Sequence, residues 1–239
     1  MDNILTIFKR EFLGYFRSPV AYVFLIVFLL ASVGLSWFVG GFFDSNEAGL
    51  TPLFSFFPWV FVVFIPAVGM RLWAEEKKYG TWELLFTLPI SPAQAVIGKF
   101  LAAWIFLIVA VSLTLTMVIT VSVLGDPDWG LILSGYIAAF LMAGAYLSIC
   151  SLMSALTNNQ VIAFVLGLIT CLIIVLAGWS IFNNMISFLP TLLLDTIANF
   201  SFIPHYYDAT QGVITFNSFI YFVTITAFAL LVNIVVLER

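Results

Sequence analysis

Six stretches of this chain are long enough to cross a bilayer as helices and carry no charge in their interiors. A spanning helix needs about 20 apolar residues for a hydrocarbon core of roughly 30 Å. Val20–Phe43, Leu53–Arg71, Ile97–Leu124, Leu131–Leu156, Val161–Phe182 and Phe216–Leu237 all meet that requirement. Barrel strands are about ten residues long and alternate apolar with polar side chains, so the pattern predicts an all-α integral membrane protein. Composition agrees: 63% of residues are hydrophobic and 8% charged, too few charges to clothe a soluble domain of 239 residues. Lipid is the expected surround, and nucleic acid is not an expected ligand.

Lys9, Arg10 and Arg17 precede the first stretch, as in a signal peptide. That stretch is too long and shows no small-residue cleavage site, so a retained anchor is expected. With the N-terminus inside, Lys9, Arg10, Arg17, Arg71, Lys77, Lys78, Lys99 and Arg239 all face the cytoplasm. Asp44, Glu47, Asp126, Asp128, Asp195 and Asp208 fall on the other side. Basic residues near span ends set orientation, so both termini are expected to be cytoplasmic.

Local signals mark several helix starts. Ser18-Pro19, Thr51-Pro52 and Asp126-Pro127 each set a capping residue before a proline, whose missing N–H costs nothing in a first turn. Ser91-Pro92-Ala93-Gln94 predicts a capping box. Pro58 and Pro66 each remove a backbone hydrogen bond from the second span, which is expected to kink or break. A kinked pore helix and simple tolerance by neighbouring helices are both open readings of that feature.

Two pieces do not span. In residues 1–17, Ile4, Phe8, Phe12, Tyr15 and Phe16 recur at helical spacing against Lys9, Arg10 and Arg17, which suggests an amphipathic interfacial helix. A plain basic leader is the alternative. Residues 183–215 are apolar yet interrupted by Pro190 and Pro204, and they read as short external helices packed on the bundle. Gly135, Ala139 and Ala143, with Gly144 and Ser148 beside them, form a small-residue stripe for close helix approach, within the chain or in a dimer. Cys150 and Cys171 lie in apolar runs and read as packing residues.

The segment after the second span is the most informative. Its charged run ends at Gly80-Thr81, and Trp82, Leu84, Leu85, Phe86 and Leu88 follow before Pro89. An apolar-rich short helix outside the hydrocarbon either buries in the interface or offers anchors to a partner's groove. The pattern Glu76-Lys77-Lys78-Tyr79-Gly80-Thr81-Trp82-Glu83-Leu84-Leu85, followed by Pro89-Ile90-Ser91 and Gly98-Lys99, resembles the coupling-helix region of type-2 ABC transporter permeases. Within that class it is most similar to the gliding-motility and nitrous-oxide-reductase-maturation group. Ser201-Phe-Ile-Pro-His205-Tyr206, with Gly212-Val213-Ile214 after it, resembles the re-entrant hairpin before the last span of those permeases. Gln211 and Thr215 stand where that pattern often has a basic and an acidic residue.

The resemblance covers the whole chain, residues 1–239, as a single transmembrane domain with its coupling-helix region at 75–90. It implies a bacterial inner-membrane permease paired with a second permease subunit and with ATP-binding subunits. Glu76, Gly80, Thr81, Trp82, Glu83, Leu84, Leu85 and Phe86 would form the ATPase-coupling interface, and Ser201, His205, Tyr206 and Gly212 the re-entrant segment. No cofactor, metal or catalytic residue is expected in this chain; it has no Gly-x-x-x-x-Gly-Lys-Ser/Thr loop, so ATP and Mg2+ would sit on the partner. An ion-coupled transporter would normally keep ionisable residues inside its spans, and an intramembrane enzyme would need more than a lone His205. A channel or membrane assembly factor without ATP coupling is the alternative reading.

Overall fold

A computed structural model describes residues 2–43, 49–82, 90–185, 190–213 and 215–238. Among these residues every regular element is a helix. In chain order they are α1 (Asp2–Arg17), α2 (Pro19–Phe38), α3 (Thr51–Gly69), α4 (Arg71–Tyr79), α5 (Pro92–Leu113) and α6 (Leu115–Leu124). There follow α7 (Trp129–Ala155), α8 (Gln160–Ala177), α9 (Ser180–Met185), α10 (Thr191–Asn199), α11 (Phe202–Thr210) and α12 (Phe216–Leu237). Six units are long and apolar enough to span: α2, α3 with α4, α5 with α6, α7, α8 and α12.

Several expected boundaries move, each for a local reason. The first span stops at Phe38, ahead of Gly40 and of Gly41, whose φ of 61° is left-handed. The fifth stops at Ala177, where Gly178 leads into the separate short α9. The third is interrupted at Thr114, whose hydroxyl donates back to the Val111 carbonyl at 2.6 Å and shares a 3.0 Å bond with the Tyr136 hydroxyl. The second runs unbroken through Pro58 and Pro66, so the expected break does not occur. Its one interruption is Met70, after which α4, carrying the charged run Glu75–Lys78, simply continues the same rod.

Caps divide in the same way. The capping box at Ser91 and Gln94 forms, with reciprocal bonds of 3.3 and 3.2 Å. Ser18 occupies the cap of α2 without a side-chain capping bond, and Leu50 rather than Thr51 precedes α3. Asp128, not Asp126, caps α7, its Oδ1 accepting from the N–H groups of Gly130 and Leu131 at 2.8 and 3.3 Å.

α7 is the hub, packed against α3, α5, α8, α11 and α12. Its small-residue stripe is spent inside the chain. A Cβ on Gly135 would lie 2.5 Å from the Phe54 ring of α3, and one on Gly144 would lie 3.1 Å from the Trp104 indole of α5. Cys150 and Cys171 are buried free thiols 3.7 Å apart where α7 meets α8, in keeping with a packing role. α1 lies along α5, seated by Ile7, whose side chain fills the space over Gly98, and by Tyr15 stacked on Phe106 at 4.8 Å between centroids.

Candidate functional site

The charged end of the bundle is organised around α4. Where Met70 interrupts the rod, the backbone ladder opens, and the buried Ser154 hydroxyl from the end of α7 fills the gap. It accepts from the N–H groups of Trp73 and Ala74 at 3.1 and 3.0 Å and donates to the Met70 carbonyl at 2.9 Å. A side chain inserted into the ladder is a recognised cause of helix interruption. Lys77 adds a second tie, donating its Nζ to the Ala155 carbonyl at the C-terminus of α7, where carbonyls lack helical partners and favour a cation.

Lys99 holds the opposite face of α4. It is 3% exposed, and its ammonium donates to Glu76 Oε1 at 2.7 Å and to the Leu72 carbonyl at 3.0 Å. The Glu11 carboxylate of α1 stands 3.8 Å away, and the ammonium lies over the Trp73 ring at 5.0 Å. A buried cation must be paired and hydrogen-bonded to be tolerated, and these groups supply both requirements. The consequence is mechanical, since α4 is bonded to α5 and α7 and sits beside α1. The spans therefore do contain an ionisable side chain: Lys99 lies near the start of the third, held by Glu76.

The sequence-based site residues fall in two separate places. Glu76 turns its carboxylate inward to Lys99. Gly80 closes α4 in the left-handed conformation, φ 68°, its N–H directed to the carbonyls of Glu76 and Lys77. A glycine tolerates that φ without the steric penalty of a side chain. The Thr81 hydroxyl donates to the Glu76 carbonyl at 3.3 Å, and Lys77 lies 5.5 Å from the Trp82 ring centre. Glu83, Leu84, Leu85 and Phe86 lie outside the described residues.

The second group is at the other end of α8. Ser201 caps α11, accepting from Ile203 N–H at 3.3 Å and donating to the Val175 carbonyl of α8 at 3.3 Å. Gly178 makes this approach possible, because a Cβ there would lie 2.5 Å from Ser201. His205 stacks on Tyr221 at 3.9 Å between centroids and shares a 3.1 Å bond with the Asn199 carbonyl. Tyr206 is buried, and Gly212 turns the chain at φ 87° before α12. This set makes a packed corner, with no group of three or more His, Cys, Asp or Glu that could hold a metal among the described residues.

Sequence reasoning missed Ser154, Trp73 and Glu11, and it used Lys99 as a topology marker and as part of the resembling pattern, without a partner. The legible signal was a lysine three residues inside an apolar span, which demands a partner. Ser154→Ala leaves two buried N–H groups of α4 without their acceptor, at a cost of about 1–2 kcal/mol. Reversible unfolding in mixed micelles should register that loss, and unchanged stability would mean that the opened ladder closes on itself.

A family model described as ABC-2 family transporter protein matches residues 5–239. Comparison with curated proteins found no match.

Proposed function

This chain belongs to the ABC-2 transporter family, and on that premise we propose that its spans are driven by ATP hydrolysed on a separate nucleotide-binding subunit docked at the segment following Gly80. The family membership makes it a multi-pass permease subunit; the coupling to ATP and its place are our reading. What supports them is the bonding of α4. Force applied beyond Gly80 reaches α5 through Lys99 and α7 through Ser154 and Lys77, so displacement of one short segment is felt by several spans.

The test is enzymatic. The purified chain alone is expected to hydrolyse no ATP, and a complex with its nucleotide-binding subunit to do so with Mg2+. Hydrolysis by the rigorously purified chain, or failure of any ATP-binding subunit to copurify, would sink the proposal in favour of a channel or assembly factor. A second permease subunit is part of the same reading, so the complex should contain two copies of each.

Orientation follows the basic residues. With Lys9, Lys77 and Lys99 at one end of the bundle, that end is assigned to the cytoplasm of a bacterial inner membrane. Single cysteines near Lys78 and near Asp128, introduced in a chain without Cys150 and Cys171, are expected to be protected from and labelled by an impermeant reagent, respectively. The reverse pattern would overturn the assignment. The finer similarity, to gliding-motility and nitrous-oxide-reductase-maturation permeases, rests on the Gly80 and Ser201–Tyr206 patterns. Unaffected gliding and reductase maturation after deletion of the chain would remove it.

A further inference from the structure

Between α1, α2, α3, α4 and α5 at the charged end lies a cavity of about 500 Å³. Its walls are divided by chemistry. Phe24, Val68 and Phe106 make the side toward the hydrocarbon, whereas Glu11, Arg71 and Glu75 stand at the side toward water. Neighbouring Val20 and Val23 of α2 are exposed, as lipid-facing residues are. A chamber that is apolar at membrane depth and ionic at its rim fits an amphiphile lying in register with the bilayer, rather than a wholly polar solute.

The charges say more. Lys99 is committed to Glu76, and Glu11 is bonded to Arg10 at 2.7 Å. Arg71 and Glu75 form no ion pair among the described residues. Both lie close enough to Tyr15 to act on its phenol: burial pushes the pKa up, the Glu11 and Glu75 carboxylates push the same way, and Arg71 opposes them. Beside Arg71, the cavity is also lined by Ser18, the cap residue of α2, and by Val20 in its first turn. Ser18 makes no side-chain capping bond, but Pro19 has no N–H and the Ala21 N–H is bonded to the Ser18 carbonyl at 3.2 Å, so the anion-binding group at this edge is Arg71. The rim thus presents an unpaired cation and an unpaired carboxylate one turn apart on α4, a pair that suits a zwitterionic headgroup.

We propose that this cavity binds a zwitterionic aminophospholipid, its phosphate at Arg71, its ammonium against Glu75, and its acyl chains leaving past Phe24. A bound lipid fills the gap between α1 and the rod of α3 and α4, so the interfacial helix and the α4 lever share one occupant. This goes beyond the reading of ATP coupling and needs no nucleotide-binding subunit.

The test is a titration of the full chain, in mild detergent, followed by native mass spectrometry. Dioleoyl-phosphatidylethanolamine, dioleoyl-phosphatidylglycerol and water-soluble phosphoethanolamine are the probes. One phosphatidylethanolamine per chain is expected, bound at least about tenfold tighter than phosphatidylglycerol, since that lipid presents hydroxyls where the Glu75 carboxylate wants a cation. Phosphoethanolamine should not bind measurably, because it lacks the chains that use the apolar wall. Glu75→Gln should erase the preference between the two lipids, and Arg71→Gln should weaken both. Gly14→Phe should lower occupancy by filling the cavity from α1; a Cβ there meets nothing within 4 Å, so the helix itself has room to accept it. Equal affinity for the two lipids in the wild type, a preference untouched by Glu75→Gln, or binding of phosphoethanolamine as tight as the lipid would each overturn the proposal.

Discussion

Lys99→Met is expected to be among the most destabilising single substitutions at the charged end. The methionine keeps the stem but removes the ammonium, leaving Glu76 Oε1 without its 2.7 Å donor while Oε2 is already buried without a partner among the described residues. Breaking a buried ion pair by removing one partner typically costs about 3–5 kcal/mol. The Glu76 side chain retains 21% exposure, so water relieves part of that penalty and about 2–3 kcal/mol is the expected loss. The Lys99 contact over the Trp73 ring goes as well, and it contributes in the same direction. Adding Glu76→Leu should recover much of the loss, because removing both charges leaves no stranded carboxylate. A double-mutant cycle on unfolding in mixed micelles measures this. Strictly additive penalties would show that the two side chains are neighbours without being coupled.

Leu84→Asp and Leu85→Asp carry the largest expected functional effect. If the segment after Trp82 is the docking element, its apolar side chains enter a groove on the ATP-binding subunit, where truncating one well-buried anchor typically costs over ~1 kcal/mol. An aspartate does more harm, since it must also surrender its hydration. Recovery of the ATP-binding subunit with each variant should fall at least about tenfold, the equivalent of about 1.4 kcal/mol, and ATP-driven function should fall with it. Membrane insertion should be unchanged, as both residues lie in sequence between the spans Thr51–Tyr79 and Pro92–Leu124. The Lys99 and Leu84 variants separate two links of the same chain: the first loosens α4 within the permease, the second releases the partner. Normal recovery and function in both aspartate variants would require a different coupling element.

Much of the fold was legible because lipid is an unforgiving solvent. A backbone in hydrocarbon must satisfy its own hydrogen bonds, so long uncharged runs become helices whatever their neighbours do. The six spans, the capping box at Ser91 and the short helices after the fifth span all follow from local patterns of that kind. Proline was instructive, since of the expected kink or break the break does not occur. Pro58 and Pro66 each remove one ladder bond, yet the helix continues through both, whereas Met70, which has no such defect, interrupts it. The difference lies in Ser154, a residue 84 positions away that inserts its hydroxyl beside Met70.

By itself, then, the sequence determined the class of protein, the number of spans and the end of the bundle to which the basic residues go. Those are properties of residues against a solvent, and they add along the chain. Which small-residue stripe meets which neighbour, which carboxylate receives Lys99 and where a cavity remains open depend on contacts between residues far apart in sequence. Gly135 under Phe54, Ser154 beside Met70 and Glu76 beneath Lys99 have no local signature, because each is defined by a partner on another helix. Only the packing of α4 and α5 against α7 turned the charged run Glu75–Lys78 from a loop-like feature of the sequence into a lever with bonds on two sides.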